Sequence, residues 1–292
     1  MINKIETYNC IYKDFLMKMK YKKYSYMNIT RYINVSFFEE NGAQKGNQIY
    51  WKEILLRAHY TATTSLIRNE RWLEGMTFSI KSKNYILFAS SLRGFLESVA
   101  DSYYSLLNSP FDIAANFKNI KLAIEGKLEN EFFIADQLEE NLIHFQHAKK
   151  GDKNTPSYNQ ALFTSKYIKY FDKYSDIKVG NLYKILCEVV HPAEDSVNCF
   201  TTILATENSQ YAIIDLERDE QNINEVLITY DKETCRLLEM SITPSIICLK
   251  ILNLFEYEAV ESNYLNDCIM NNLLEDDAWK KILNLKNESF NR

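Results

Sequence analysis

Glycine and proline are almost missing from this chain, and that scarcity decides which folds remain open to it. Seven glycines and four prolines, 11 of 292 residues, make up under 4% of the sequence, against roughly 12% in average usage. Tight turns and close backbone approach to phosphates depend on Gly, while Pro punctuates loops. No two glycines stand in a G-x-G spacing and no G-x-x-x-x-G-K-[ST] occurs. The dinucleotide fingerprint and the Walker loop are therefore both absent. A sandwich or propeller needs a turn signal about every 8–12 residues, which this composition does not supply. The expected fold is mainly α, a helical bundle with a small β-hairpin or three-stranded appendage.

Apolar residues at helical spacing predict helices over 3–22, 48–70, 84–107, 111–126, 129–148, 158–172 and 179–191. Pro110 is expected to stop the helix before it, and 147–157 reads as a solvated loop. Between 24 and 47 the pattern is ambiguous, and the polar stretch 41–47 reads as a linker. Short apolar runs at 200–205, 211–216 and 226–230 predict strands. Helical spacing returns over 232–259, with a kink at Pro244, and shorter helices near 262–274 and 276–286 close the chain. The expected organisation is a basic, aromatic extension (1–47), a helical core (48–260) with the appendage at about 200–230, and C-terminal helices (261–292).

At 46% hydrophobic and 25% charged residues the composition is that of a globular protein rather than a disordered one. The apolar stretch 246–255 contains Lys250 and falls short of the ~20 residues a membrane span requires, and no secretory signal is expected. Six scattered cysteines form no C-x-x-C pair, so neither a disulfide framework nor a zinc ribbon is expected, and the cytoplasm is the expected location. The net charge of −5 gives nucleic acid no general attraction, but residues 1–32 carry seven basic residues against Glu6 and Asp14. Within them Lys20, Lys22, Lys23 and Tyr24 interleave cations with a ring, which suits phosphate contact and base stacking. The lysine, tyrosine and asparagine bias runs through the whole chain, so the same stretch also reads as ordinary composition.

Two segments carry the side chains of greatest chemical interest. In 181–195, Leu182, Ile185, Leu186, Val189 and Val190 form one helical face, while Lys184, Glu188 and His191 fall at i, i+4 and i+7 on the opposite one. Pro192 biases His191 towards extended backbone. The plain alternative is a solvent-facing Lys–Glu pair with a capping histidine. In 90–104, Leu92, Phe95, Leu96, Val99 and Tyr103 form the apolar face, with Arg93, Glu97 and Asp101 on its flank. Glu188-x-x-His191 also matches one element of a di-iron bundle, but no second such element exists. His144 and His147 stand at i, i+3 without further ligands at metal spacing, and both are expected at the surface. His59 is expected at a core edge. No G-x-S-x-G or H-E-x-x-H occurs, which disfavours the common hydrolases and zinc proteases.

The pairing of Leu92-Arg93 and Glu97 with Tyr183-x-x-Leu186-x-Glu188-x-Val190-His191-Pro192, about ninety residues later, resembles bacterial all-helical proteins similar to the HEPN superfamily. The resemblance spans about residues 48–260. It implies a metal-independent endoribonuclease without cofactor, acting as a toxin or in phage defence, with RNA as substrate and a homodimer or a partner protein as its assembly. His191 matches the family's histidine at a helix end, where it would assist attack of the RNA 2′-hydroxyl on the adjacent phosphate. The family's arginine position is taken here by Lys184, a point charge without the bidentate fork. Arg93 could supply the guanidinium from the neighbouring segment. The resemblance thus implies catalytic roles for His191, Arg93, Lys184 and Glu188. The competing expectation is a non-catalytic helical interaction or dimerisation module of a defence complex.

Overall fold

Helices dominate the described residues, as the shortage of turn formers requires. The computed structural model describes residues 1–19, 22–129, 131–151, 154–206, 209–263, 265 and 276–291. In chain order the elements are α1 (Ile2–Lys18), α2 (Ile29–Phe38), α3 (Gly42–Lys81), α4 (Tyr85–Leu106), α5 (Ser109–Ala115), α6 (Phe117–Ile124), α7 (Asp136–His147), α8 (Thr164–Tyr174), α9 (Gly180–Val190) and α10 (Glu194–Asn198). They continue with β1 (Thr201–Thr206), β2 (Ser209–Ile214), α11 (Arg218–Thr229), α12 (Asp231–Met240), α13 (Thr243–Asn253) and α14 (Asp276–Ser289). The two strands pair antiparallel from Thr201↔Ile214 to Thr206↔Ser209. The expected fold class, helical with a small β-hairpin, is the observed one.

The chain forms two units. The first comprises Met1–Lys13, Ile67–Asp101 and Phe163–Ser241. Its core includes Tyr12, Leu73, Phe88, Phe95, Leu182 and Leu186, all essentially inaccessible to solvent. A polar seam runs through it. Tyr12 Oη and Ser241 Oγ lie 2.7 Å apart, Asn69 Nδ2 donates to the Ser241 carbonyl at 3.0 Å, and Ser98 Oγ donates to Asn69 Oδ1 at 2.5 Å. Gly94 marks a close approach of helices, because a Cβ there would come within 2.6 Å of the Trp72 ring.

The second unit comprises Asp14–Leu66, Ser102–Leu162 and Ile242–Arg292. Trp51, Ile54, Leu55, Ala58, Ala62 and Leu66 recur along one face of α3 and are fully buried, and α14 packs against α5 and α6. The Trp51 indole stacks on Phe133 with centroids 4.9 Å apart and donates to the Phe133 carbonyl at 2.8 Å.

Several boundaries differ from the sequence expectation for identifiable reasons. The stretch 41–47 is no linker; it opens the 40-residue α3. Its polarity serves packing, since the 1% exposed Asn47 donates to the Glu131 carbonyl at 2.7 Å and accepts from Phe133 N at 2.9 Å. At Gly46 a Cβ would lie 2.6 Å from Ser36 Oγ, so that glycine serves a close contact rather than a turn. The third strand expected at 226–230 is helical, because Val226 and Leu227 continue the buried face begun at Ile223 in α11. Pro110 and Pro244 sit in the first turns of α5 and α13, where a missing N–H costs nothing. Pro244 therefore starts a new helix instead of kinking one. The expected helix at 111–126 is two, α5 and α6, and α1 ends at Lys18 rather than 22. The helix expected near 262–274 lies largely outside the described residues.

The glycine shortage is visible in the backbone. Lys83, just past the end of α3, takes the left-handed conformation at φ 50°, a place usually filled by Gly. Its neighbours close the turn, with Lys83 N donating to the Ile80 carbonyl at 3.1 Å and Asn84 N to the Ser79 carbonyl at 3.0 Å.

Candidate active site

Within the first unit α4 and α9 each bury one face, and those faces fix where the polar side chains stand. Leu92, Phe95 and Leu96 are 0% exposed and Val99 is 1%, leaving Arg93 and Glu97 on the flank one helical turn apart. In α9 the buried residues are Leu182, Leu186 and Val189. The helix ends at Val190, and His191 caps it in extended backbone at φ −88° and ψ 154°, the conformation a following proline favours. The His191 N–H still donates to the Cys187 carbonyl at 2.9 Å, so the last turn holds the histidine while its side chain leaves the helix.

That side chain meets Arg93. Arg93 Nη1 and His191 Nε2 lie 2.9 Å apart, and Arg93 Nε donates to Glu97 Oε1 at 2.9 Å. Tyr183 Oη donates to the same carboxylate oxygen at 3.1 Å, and its ring centroid lies 5.8 Å from the guanidinium. Burial opposes the charge on Arg93, but the bond and charge of Glu97 outweigh it and hold the guanidinium pKa above its ordinary value. The Tyr183 hydroxyl is pushed up to about 12, first by burial and then by its bond to Cys187 and the charge of Glu97. The tyrosine therefore stays protonated and remains a donor.

A guanidinium has only donors, so the short contact assigns His191 Nε2 the acceptor role and places its ring proton on Nδ1. The result is a chain of four side chains. Tyr183 and Arg93 share the Glu97 carboxylate, and Arg93 presents Nη1 to the exposed His191 ring.

Of the residues implicated by sequence, the structure brings Arg93 and His191 together. Lys184 instead pairs with Glu188 at 3.7 Å with side chains 76% and 43% exposed, a solvated pair worth roughly 0.3–0.5 kcal/mol. Asp101 pairs with Arg68 at 2.7 Å. Glu97 and Tyr183 complete the cluster. Both stand within the two quoted segments, but only their spacing to each other's helix in three dimensions shows it. Cavities of about 590 Å³ (including Asn3, Leu227 and Asp231) and 880 Å³ (including Arg31, Asn34 and Lys45) lie elsewhere.

The basic N-terminal stretch is partly committed to internal bonds. Lys20 lies outside the described residues, and Lys23 is exposed. Lys22 Nζ donates to the Glu261 carbonyl at 3.2 Å, and burial lowers its pKa. Tyr24 Oη lies 2.8 Å from His59 Nδ1 and donates to Thr63 Oγ1 at 3.2 Å, and burial pushes its pKa up to about 12. His59 is fully buried rather than at a core edge, with Nε2 2.8 Å from Ser262 Oγ. His144 is also buried, not a surface residue, with Nδ1 2.8 Å from the Tyr158 carbonyl. Among the described residues no three His, Cys, Asp or Glu side chains are grouped to hold a metal ion, and no helix is long and apolar enough to cross a membrane. No protein-family model, curated protein or solved structure matches this chain.

Proposed function

We propose that the chain is a HEPN-like, metal-independent endoribonuclease, of the kind that serves as a toxin or in phage defence. The observation that carries the reading is the 2.9 Å contact of Arg93 Nη1 with His191 Nε2, which joins residues 98 positions apart. It sets a cation beside an imidazole whose Nε2 holds a lone pair, the form a general base requires. An RNA phosphate competes for the guanidinium fork. As Arg93 turns to the phosphate, Nε2 is released to take the proton of the neighbouring 2′-hydroxyl. The 2′-oxygen then bonds to phosphorus, the bond from phosphorus to the 5′-oxygen breaks, and the departing oxygen takes a proton from solvent. Arg93 stabilises the charge that builds on the crowded phosphorane. Glu97 and Tyr183 are positioning residues that hold the guanidinium in place.

A second reading, a non-catalytic helical interaction module, draws on Lys184, which is turned to Glu188 instead of joining Arg93. The two readings separate on incubation of the purified protein with labelled single-stranded RNA in the presence of a chelator. The nuclease reading expects cleavage to cyclic-phosphate ends, abolished in Arg93→Ala and His191→Ala and reduced at least a hundredfold in Arg93→Lys. Full cleavage by either alanine variant sinks the assignment. A folded wild type that leaves a diverse RNA pool intact leaves the interaction module standing.

A further inference from the structure

Gly94 is the only glycine in α4 and stands in its interior, where glycine weakens a helix relative to alanine. What it permits is the seat of Trp72. A Cβ at Gly94 would lie 2.6 Å from Trp72 Cδ2, 2.6 Å from Cε3 and 2.7 Å from Cε2. Those three atoms belong to the six-membered ring of the indole. A point almost equidistant from them lies over the centre of that ring, so the indole rests face-on against α4. The face on Gly94 is closed to solvent, yet Trp72 is 39% exposed. The exposed area therefore belongs to the opposite face and the edges. The helix gives up stability to hold a large ring flat, with its far side in water.

The indole stands beside the site described above. Trp72, Arg93, Gly94 and His191 all belong to the first unit. At 100° per residue Arg93 and Gly94 lie on two sides of α4, with the half-buried Ser90 and Glu97 between them. On a helix ~10–12 Å across, that arc is roughly 9–10 Å, a span that one nucleotide step can bridge. The carboxylates on this surface are each covered by a guanidinium. Glu97 pairs with Arg93 at 2.9 Å and Asp101 with Arg68 at 2.7 Å, which limits their repulsion of a polyanion.

We infer that Trp72 is a base-stacking platform, taking an unpaired nucleobase from a nucleotide next to the phosphate held by Arg93. Resting on the nuclease reading, this names the substrate as single-stranded RNA. An aromatic platform needs the open π-face of a base, which a splayed single strand offers and a duplex does not. A purine covers more of the indole than a pyrimidine, so adenine is preferred to uracil. Trp72 meets the base and not the reacting atoms, so it sets affinity and substrate choice rather than the rate of bond breaking.

Oligonucleotides of 2′-O-methyl adenylate and of 2′-O-methyl uridylate, which lack the attacking hydroxyl, test this with the full chain. Wild type is expected to bind the adenylate strand more tightly than the uridylate strand or their duplex, and to lose tryptophan emission as it does. Trp72→Phe keeps Trp51 and Trp279 and an aromatic ring; it is expected to bind nearly as well without the loss of emission. Trp72→Leu is expected to bind about five- to hundredfold more weakly, and with cleavable RNA to raise KM while kcat stays within about twofold. The platform is overturned by emission loss that persists in Trp72→Phe, by unchanged affinity in Trp72→Leu, by equal weakening in both variants, or by a wild type that binds neither strand. Its failure is distinct from that of the nuclease reading. Emission loss that depends on Trp72, without cleavage of RNA, upholds the platform and sinks the nuclease. Cleavage at unchanged KM in Trp72→Leu does the reverse.

Discussion

Acid should destabilise the second unit through His59. The ring is 0% exposed, and both nitrogens are engaged, Nδ1 with the Tyr24 hydroxyl and Nε2 with the Ser262 hydroxyl, each at 2.8 Å. Burial, with a smaller contribution from the Lys22 charge, pushes its pKa down to about 3 from the ordinary 6.5. The unfolded chain therefore binds a proton below pH 6.5, which the folded chain refuses until about pH 3. Stability is complete above 6.5 and falls as pH drops through that window, because the unfolded state holds more protons there. Each unit of pH is worth about 1.4 kcal/mol once the unfolded histidine is charged. Between pH 7.5 and 5, where most carboxylates remain ionised, the loss amounts to about 2 kcal/mol. Urea unfolding followed by circular dichroism at several pH values, in wild type and His59→Gln, isolates this term. The variant is expected to be less stable at pH 7.5 but to lose about 2 kcal/mol less on acidification. The His59 ring resonances should also show no titration above pH 4. Equal acid sensitivity in the two proteins, or a His59 midpoint near 6.5, would refute the argument.

Two further substitutions test the packing reasoning. Lys83→Gly relieves the left-handed backbone at φ 50° and gives up an exposed ion pair with Glu220 at 2.6 Å, so the urea midpoint should rise rather than fall. Asn47→Ala leaves the Glu131 carbonyl and the Phe133 N–H without their side-chain partner; a loss of about 2–3 kcal/mol is expected, with a change in Trp51 fluorescence as its stack on Phe133 loosens.

Periodicity in the sequence located most helices because each carries a buried face, and the runs around Ile203 and Tyr211 located the hairpin. It misplaced 41–47 because polarity there serves internal hydrogen bonds at Asn47 and a close contact at Gly46, which in one dimension look the same as a loop. It took Val226 and Leu227 for a strand because a short apolar run carries no period of its own. The site was half legible. His191 before Pro192 and Arg93 before Glu97 stand out as pairs, but spacing along α9 joined His191 to Lys184 and Glu188. The histidine departs from the helix axis at its extended cap, so the stripe does not extend to it, and its partner comes from α4 instead.

The way the chain threads its two units bears on how it is made. The divisions at Lys13/Asp14, Leu66/Ile67 and Asp101/Ser102 all fall inside helices, α1, α3 and α4. Neither unit is a contiguous cassette. On the ribosome the first 13 residues must wait for Phe163–Ser241 before their unit is complete, and α3 must wait for Ile242 and beyond to bury its earlier half. Each unit thus completes its core only when its last segment has been added, later than a contiguous unit of the same size would.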